Sequence, residues 1–133
     1  RILVDLSATL IHHGHVRLLK KASMFGDVIV ALTNDPEIIK NKGYKPELSY
    51  KFRKEILCSI KYVKKVLPST WLIDDKYLRK NSIDLLVHGH DNPHNIDTKK
   101  LKIFPRTKNI SSNEIRKRAQ ISLRKLKNFS RKK

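Results

Sequence analysis

The 133-residue chain lacks sequence features that disulfide-rich, membrane-spanning and secreted proteins require. Its single cysteine, Cys58, excludes an internal disulfide framework and a cysteine-rich zinc site. No apolar run approaches the roughly 20 residues of a membrane-spanning helix, and the first residues, Arg1 to Asp5, do not have the form of a signal peptide. Neither a P-loop nor a GxGxxG motif is present, which disfavours a P-loop kinase or a nicotinamide enzyme. We therefore expect one cytoplasmic domain of ordinary size.

Acidic residues are also scarce relative to basic ones. Thirty Lys and Arg against twelve Asp and Glu give a formal net charge of +18, and fourteen of the basic residues, with a single acidic one, lie between Thr98 and Lys133. Such an excess is typical of proteins that bind nucleic acid, an anionic membrane or phosphorylated small molecules. A solvated helix face followed by a basic tail explains the same pattern, so charge alone does not choose between these interpretations.

Strand-like and helix-like patterns alternate along the chain. Continuous apolar runs predict strands at 1–7, 27–33, 63–67, 83–87 and 101–104. Helices are predicted at 16–24, 49–62, 74–81 and from 111 or 112 onward, with a loop at 34–48. In the second helix, an apolar face of Phe52, Ile56, Leu57 and Ile60 is expected to be buried, with Cys58 as an inert core residue. This order predicts an α/β fold, a parallel sheet of about five strands with helices on both faces.

Three polar segments lie next to the predicted strands and helices, two of them after a strand and one before a helix. They are residues 12–15 after the first strand, 88–91 after the fourth, and 106–112 before the last helix. Ligands of parallel sheets bind at the carboxyl ends of the strands, near helix N-termini. The three segments are therefore expected to meet at one edge of the sheet.

The segment His12–His15 places three imidazoles at a strand-to-helix turn. Gly14 would allow the backbone to approach a ligand closely, and the N–H groups of the following turn favour an anion. Two imidazoles at this point would stabilise charge on a phosphate. Neutral imidazoles also bind zinc, for which His88, His90 and His94 are further candidates.

Several basic residues also suit phosphate binding. Lys40, Lys42 and Lys45 lie in the predicted loop, where they either clamp phosphates or are simply solvated. Arg53, in the next helix, is either a surface arginine or a second phosphate ligand. The segment Arg106–Ser112 combines a guanidinium with hydroxyls at a helix start, although a serine N-cap explains the hydroxyls equally well.

Five segments resemble motifs of the small cytidylyltransferases, which include the glycerol-3-phosphate, choline-phosphate and ethanolamine-phosphate enzymes. They are HxGH at His12–His15, a lysine-containing segment followed by Ser49-Tyr50-x-x-Arg53-Lys54, Ile60–Pro68, His88–Asp91, and the RTxxISS segment Arg106–Ser112. The resemblance runs from Ile2 to about Arg118. It predicts a catalytic domain at 1–118 and a basic C-terminal helix or tail at 119–133.

The resemblance implies a Rossmann-like nucleotidyltransferase fold and an enzyme that transfers CMP from CTP to a phosphorylated or phosphonate small molecule. It implies Mg2+ accompanying CTP, release of pyrophosphate, and a homodimer. The catalytic residues that it implies are His12, His15, Lys40 and Arg106. Nucleotide binding is implied for Ser7, Ala8, Gly14, Lys42, His88, Gly89, Asp91, Thr107, Ile110, Ser111 and Ser112, and acceptor binding for Thr9, Arg53 and His90. No residue is assigned to a metal.

Two alternatives to this function remain. One is an adenylyltransferase of the same superfamily. The other is an inactive relative that binds RNA or an anionic membrane through the basic C-terminal segment.

The chain also departs from the family pattern. Thr9 and His90 stand where the family has acids, and Asn109 stands where it has glycine. Lys61 and Lys64 replace the arginine and the acid of the family's RYVD element. Because three of these changes remove negative charge, we predict an anionic acceptor rather than a cationic one such as choline phosphate.

Overall fold

Strands and helices alternate along the chain in the computed structural model, which describes residues 1–89, 94, 96–105 and 107–131. The elements are β1 (Ile2–Leu6), α1 (His13–Ser23), β2 (Val28–Thr33), α2 (Asp35–Lys42), α3 (Tyr50–Cys58), β3 (Val63–Ser69), α4 (Asp75–Lys80), β4 (Leu85–His88), a 3₁₀ turn (Thr98–Lys100), β5 (Leu101–Ile103) and α5 (Ser112–Arg131).

The five strands form one parallel sheet in the order β3-β2-β1-β4-β5. The chain builds outward from β1 to β3 and then returns to pair β4 with the other side of β1. The strand order therefore reverses between β1 and β4, and a crevice at their carboxyl ends is the expected ligand site of such a sheet.

Apolar side chains cover both faces of the sheet. On one face, Val4 and Val30 pack in a cluster with Leu19 of α1 and Leu57 of α3. On the other face, Leu3, Ile29 and Leu86 pack with Leu78 of α4. The predicted parallel sheet with helices on both faces is thus confirmed, and the continuous apolar strands are explained by burial on two sides.

The segment predicted as a loop contains a helix, α2. Asn34 caps it by accepting a backbone N–H at 3.0 Å, Pro36 lies in its first turn, and Gly43 ends it in the left-handed conformation at φ 77°. These are ordinary helix start and stop signals. Lys40 and Lys42 consequently lie in the last turn of a helix and not on an irregular loop.

Helix α3 is shorter than predicted and buries only part of the predicted apolar face. Arg53 and Leu57 are buried, whereas Phe52 is 51% exposed and Ile56 is 39% exposed. Cys58 is exposed, so the prediction of a core thiol is wrong. Arg53 orients the helix, because its guanidinium donates hydrogen bonds to backbone carbonyls and to Asp35. The apolar pattern alone does not reveal these partners.

Strand β3 continues through Pro68, which was predicted to end it, and stops at Ser69. Among the described residues, it pairs only with β2. An edge strand tolerates proline because the missing N–H has no neighbour to pair with on its outer side.

Helix α5 runs without interruption from Ser112 to Arg131. Beyond residue 118 it is exposed, including the apolar side chains of Ile121, Leu123, Leu126 and Phe129. In the described part of the chain, no helix is long and apolar enough to cross a membrane. The predicted division at residue 118 stays a prediction.

Candidate active site

A cavity of about 560 Å³ opens at the carboxyl edge of the sheet. Its size is within the usual range of small-molecule sites. The structure brings twelve of the predicted site residues to its wall, namely Ser7, Ala8, His12, Gly14, His15, Lys42, His88, Gly89, Thr107, Ile110, Ser111 and Ser112. Described residues of all three polar segments that the strand rule selected therefore meet at one edge.

Six predicted residues are not in this group. His90, Asp91 and Arg106 lie outside the described residues. Thr9, Lys40 and Arg53 are described, and they are not among the residues that line the cavity.

The turn into α1 fixes two imidazoles through their Nδ1 atoms. The backbone N–H of Gly14 donates to Nδ1 of His12 at 3.0 Å, and the backbone N–H of His12 donates to Nδ1 of His15 at 3.1 Å. Since a neutral imidazole has one donor and one acceptor nitrogen, both rings carry their proton on Nε2. The ring centroids are 3.9 Å apart, so the turn presents two adjacent Nε2–H donors at the cavity.

Burial keeps both rings neutral. It lowers the pKa of His15 to about 3, with smaller electrostatic contributions from the neighbouring His12 and Lys42 side chains. Burial, followed by the charge of His13, also lowers the pKa of His12. A neutral ring donates a hydrogen bond to an anion without taking up its proton, which suits a phosphate oxygen.

We expect His15 to make the folded protein less stable in acid. Its pKa is about 3 in the folded state and about 6.5 in an unfolded chain, so between these values the unfolded state binds more protons. The stability contributed by the neutral ring is complete above about pH 6.5 and is lost as the pH falls towards the folded-state pKa. Urea unfolding of wild type and His15→Gln from about pH 7.5 to about pH 4 measures this loss, which should be smaller in the variant by up to several kcal/mol. Equal pH dependence in the two proteins would contradict the expectation.

A glycine is needed at position 14 because the His12 side chain occupies the space next to it. A Cβ at this position would lie 2.8 Å from Cε1 and 2.9 Å from Nδ1 of His12. The sequence suggested that Gly14 makes room for a ligand, and the structure shows that the His12 ring occupies this space.

The segment leading into α5 forms another wall of the cavity. Ser111 Oγ accepts the backbone N–H of Glu114 at 3.0 Å as an N-cap, and the Ser112 hydroxyl donates to the carbonyl of Leu10 at 3.1 Å. The N–H of Glu114 is thus used by the cap, and the O–H of Ser111 with the backbone N–H groups of Ser112 and Asn113 are the donors for which the described residues provide no acceptor. Asn109 has a φ of 62°, a conformation that asparagine tolerates where the family has glycine.

Thr9 holds α5 in place and does not reach the cavity. It is buried, and its Oγ1 accepts a hydrogen bond from Arg116 at 2.8 Å. Arg116 also donates two hydrogen bonds to Glu47 and lies over the ring of Tyr44. The hydrogen bonds from Arg116 hold the pKa of Glu47 below its usual value. Thr9 therefore links the turn after β1 to α5, and the acceptor-binding role predicted for it stays a prediction.

Arg53 is fully buried, so it is neither a surface arginine nor a residue of the cavity wall. It donates to the carbonyls of Ser7 at 2.6 Å, Thr33 at 3.0 Å and Leu48 at 3.0 Å, and to the carboxylate of Asp35 at 2.5 Å. Backbone carbonyls beyond the end of β1 and at the end of β2 need donors, and the guanidinium supplies them. Arg53 thus acts as a structural cation in this part of the fold, and the acceptor contact predicted for it stays a prediction.

Lys42 lines the cavity and Lys40 does not. Lys42 Nζ lies 5.9 Å from the ring centroid of Trp71, another lining residue, and its charge contributes to the low pKa of His15. Both lysines are exposed. Of the two, Lys42 is the one that the structure places at the cavity.

Sequence reasoning missed three charged residues of the cavity, Asp5, Arg17 and Lys21. Arg17 and Lys21 are spaced by four residues along α1, which places them on one helical face near the histidines. Asp5 is a carboxylate inside an apolar strand, and this unusual position was the sequence signal by which it could have been recognised as a site residue. With Lys42, the described wall has three full cations and one carboxylate, which makes the cavity electropositive.

Asp5 is bound by two imidazoles at this wall. Its Oδ1 is 2.7 Å from Nδ1 of His88, and its Oδ2 is 2.6 Å from Nε2 of His94. Burial raises the pKa of Asp5, but the pKa lies below its usual value, and the hydrogen bonds from His88 and His94 are the main contributions that oppose burial. The carboxylate is therefore ionised at neutral pH.

Asp5, His88 and His94 are residue types that bind metals, but a metal-binding histidine needs a nitrogen atom without a proton facing the metal, and His94 does not offer one. Their ligand atoms lie within 4.8 Å of one another, and two imidazoles with a carboxylate suit zinc. However, the backbone N–H of Ile73 donates to Nδ1 of His94 at 2.8 Å, so Nε2 of His94 carries the proton and has no lone pair for a metal. Mg2+ prefers oxygen ligands, carboxylates among them, and the one carboxylate of the described wall, Asp5, already accepts hydrogen bonds from both imidazoles.

Comparisons with known proteins agree with the motifs. Residues 9–118 match the cytidylyltransferase-like family. Glycerol-3-phosphate cytidylyltransferase of Bacillus subtilis is 34% identical over 112 residues, which cover 80% of this chain and 87% of the relative. The enzyme of the same name from Staphylococcus aureus is 31% identical over 121 residues, covering 87% and 92%. Ethanolamine-phosphate cytidylyltransferase of Dictyostelium discoideum is 29% identical over 127 residues, covering 86% of this chain but 35% of the relative.

A solved structure supports the fold. The lipopolysaccharide core biosynthesis protein of Thermoplasma volcanium superposes with a TM-score of 0.65 at 18% identity, covering 80% of this chain and 95% of that one. This likeness confirms a Rossmann-like α/β fold. By sequence match over most of its length, the chain belongs to the cytidylyltransferase-like family, which confirms the resemblance seen in its motifs and the class of enzyme, a CTP-dependent nucleotidyltransferase, that this resemblance implied.

Proposed function

We propose that the chain transfers CMP from CTP to a phosphorylated small molecule and releases pyrophosphate. The observation that carries the proposal is the pair of fixed Nε2–H donors of His12 and His15 in an electropositive cavity beside the first turn of α5. An oxygen of the acceptor phosphate attacks the α-phosphorus of CTP, and the bond from that phosphorus to the bridging oxygen breaks. Pyrophosphate leaves with the electron pair of the broken bond, and because the acceptor oxygen attacks the phosphorus directly, no covalent enzyme intermediate is needed.

Catalysis of this reaction consists of positioning and charge stabilisation. His12 and His15 donate hydrogen bonds to oxygens of the reacting phosphates, where negative charge develops. Lys42 and the backbone N–H groups at the start of α5 support the same charge. Arg106 is proposed as a triphosphate ligand on its motif alone. Mg2+ enters as part of the Mg–CTP substrate, because the described wall offers no free carboxylate to hold it.

We propose further that the acceptor is anionic and has no cationic head group. Arg17, Lys21 and Lys42 line the cavity, and its single described carboxylate is already bound by two imidazoles. Two of the sequence departures do not contribute to this preference. Lys61 and Lys64 lie before and at the start of β3, and Lys64 pairs with Asp27 at 3.8 Å.

Pyrophosphate release in the presence of Mg2+ tests the reaction, with CTP and ATP compared against glycerol phosphate, choline phosphate, ethanolamine phosphate and several sugar phosphates. We expect turnover with CTP but not with ATP, and higher kcat/KM for glycerol phosphate or sugar phosphates than for choline phosphate.

CTP binding titrated in the same samples separates an absent acceptor from an absent reaction. A chain that binds neither nucleotide would contradict the proposal, and turnover with ATP alone would assign the adenylyltransferase alternative. A choline phosphate preference would refute the anionic acceptor only.

A further inference from the structure

The partly buried cluster of Asp5, His88 and His94 is not explained by stability. Asp5 lies in the central strand β1, among residues that pack against both faces of the sheet. Burying ionic groups is costly, and well-packed apolar side chains in their place are often neutral or stabilising. All three side chains line the cavity, which points to a role towards a ligand.

The contacts determine where the protons of this cluster lie. An ionised carboxylate only accepts hydrogen bonds, so the two nitrogen atoms that face Asp5 must both carry protons. Nδ1 of His94 accepts the N–H of Ile73, so His94 is neutral with its proton on Nε2. His88 carries its proton on Nδ1, and its remaining polar atom is Nε2, for which the described residues provide no hydrogen-bond partner.

His88 thus carries its proton on the opposite ring nitrogen from the two histidines at the start of α1. His12 and His15 accept backbone N–H groups at Nδ1, which makes Nε2 a donor. His88 donates from Nδ1 to Asp5, which in the neutral ring makes Nε2 an acceptor. The cavity therefore combines imidazole donors suited to anionic oxygens with an imidazole acceptor that would repel them.

We propose that Asp5 and His94 are positioning residues that hold His88 with the lone pair of Nε2 available to the cavity, where it accepts a hydrogen bond from an uncharged N–H or O–H group of a bound substrate. This inference rests on the proposed function. Within that reaction, two groups have the required chemistry: the exocyclic amino group of cytosine and a hydroxyl of the acceptor. The phosphates do not, because they bring acceptors only.

The tautomers are measured directly by long-range 1H–15N NMR at about pH 8, where an ordinary histidine is neutral. We expect the proton on Nδ1 in His88 and on Nε2 in His94. In Asp5→Asn the side chain offers one oxygen and one NH2 group, and His94 is pinned by Ile73, so His88 should move its proton to Nε2. Asp27→Asn, an exposed carboxylate at the start of β2, is the matched control and should leave both tautomers unchanged.

The same variants are then assayed with two substrate pairs. UTP has a carbonyl oxygen where CTP has the amino group, and a polyol phosphate is compared with an alkyl phosphate of equal length. We expect Asp5→Asn to reduce the kcat/KM preference within one pair about 10- to 100-fold, mostly through KM, as for the loss of one buried hydrogen bond. The affected pair identifies whether the nucleobase or the acceptor supplies the donor.

Several results would overturn the inference. They are a wild-type His88 protonated on Nε2, unchanged preferences in both pairs, and stoichiometric Zn2+ binding that Asp5→Asn abolishes. If Asp5→Asn does not fold, His88→Ala removes the same acceptor while Asp5 keeps its bond to His94, and it should produce the same loss of preference. Absence of all turnover would refute the proposed reaction instead, while the tautomers would still be read from the spectra.

Discussion

Replacing His15 by asparagine is expected to lower kcat for CMP transfer about 10²- to 10³-fold, the usual effect of removing one donor to developing negative charge. Asparagine has an oxygen near the position of Nδ1, so it can still accept the N–H of His12 and preserve the turn, but it has no donor at the position of Nε2. Glutamine reaches that position with its amide N–H. His15→Gln should therefore retain clearly more activity than His15→Asn, as measured by pyrophosphate release at saturating CTP.

His13→Asn is the matched control for this comparison. His13 is exposed, lies in the same turn and is not among the residues that line the cavity. Its substitution should leave kcat within about twofold of the wild type, since surface changes away from a site have small effects. Equal activity of His15→Asn and His15→Gln would show that a donor at Nε2 is not what His15 contributes.

Replacing Arg53 by methionine is expected to lower the free energy of unfolding by about 3–5 kcal/mol. Methionine fills much of the volume but leaves three backbone carbonyls and the carboxylate of Asp35 without their donor. Unsatisfied buried acceptors cost the full desolvation free energy that the guanidinium had offset. The midpoint and slope of urea unfolding, followed by circular dichroism, measure this loss.

Lys54→Met is the control, because Lys54 is an exposed basic residue of the same helix. It should change stability by no more than about 0.5 kcal/mol. If Arg53→Met removes all folded protein, Asp35→Asn keeps the three carbonyl contacts and should show a smaller loss of about 1–2 kcal/mol. A stable Arg53→Met that had lost affinity for the acceptor would instead restore the substrate-binding role inferred from the sequence.

The order of strands and helices could be predicted because it rests on local patterns. Apolar runs of β1, β2 and β4 and the capping residues Asp74 and Ser111 act within a few positions of the elements that they define. The rule that ligands lie at the carboxyl ends of parallel strands then placed the polar segments on one edge. Helix α2 was missed even though its signals are local, since its proline and glycine were interpreted only as loop residues.

Other features depend on partners that no local pattern reveals. Arg53 turns inward, and Phe52 and Ile56 outward, because carbonyls beyond the end of β1 and at the end of β2 converge on one guanidinium. Lys42 was distinguished from Lys40 only when α2 was seen to place one of them at the cavity.

By itself, the sequence determined the α/β architecture, the edge that carries the site and the pair of histidines at the start of α1, since each follows from residues close together in the chain. Only the tertiary structure decided which residues Thr9 and Arg53 contact. It also decided that Asp5 forms hydrogen bonds with His88 and His94. These last contacts join residues 83 and 89 positions apart. Strand pairing between β1 and β4 brings such residues together, and their protonation follows from contacts that exist only in the folded chain.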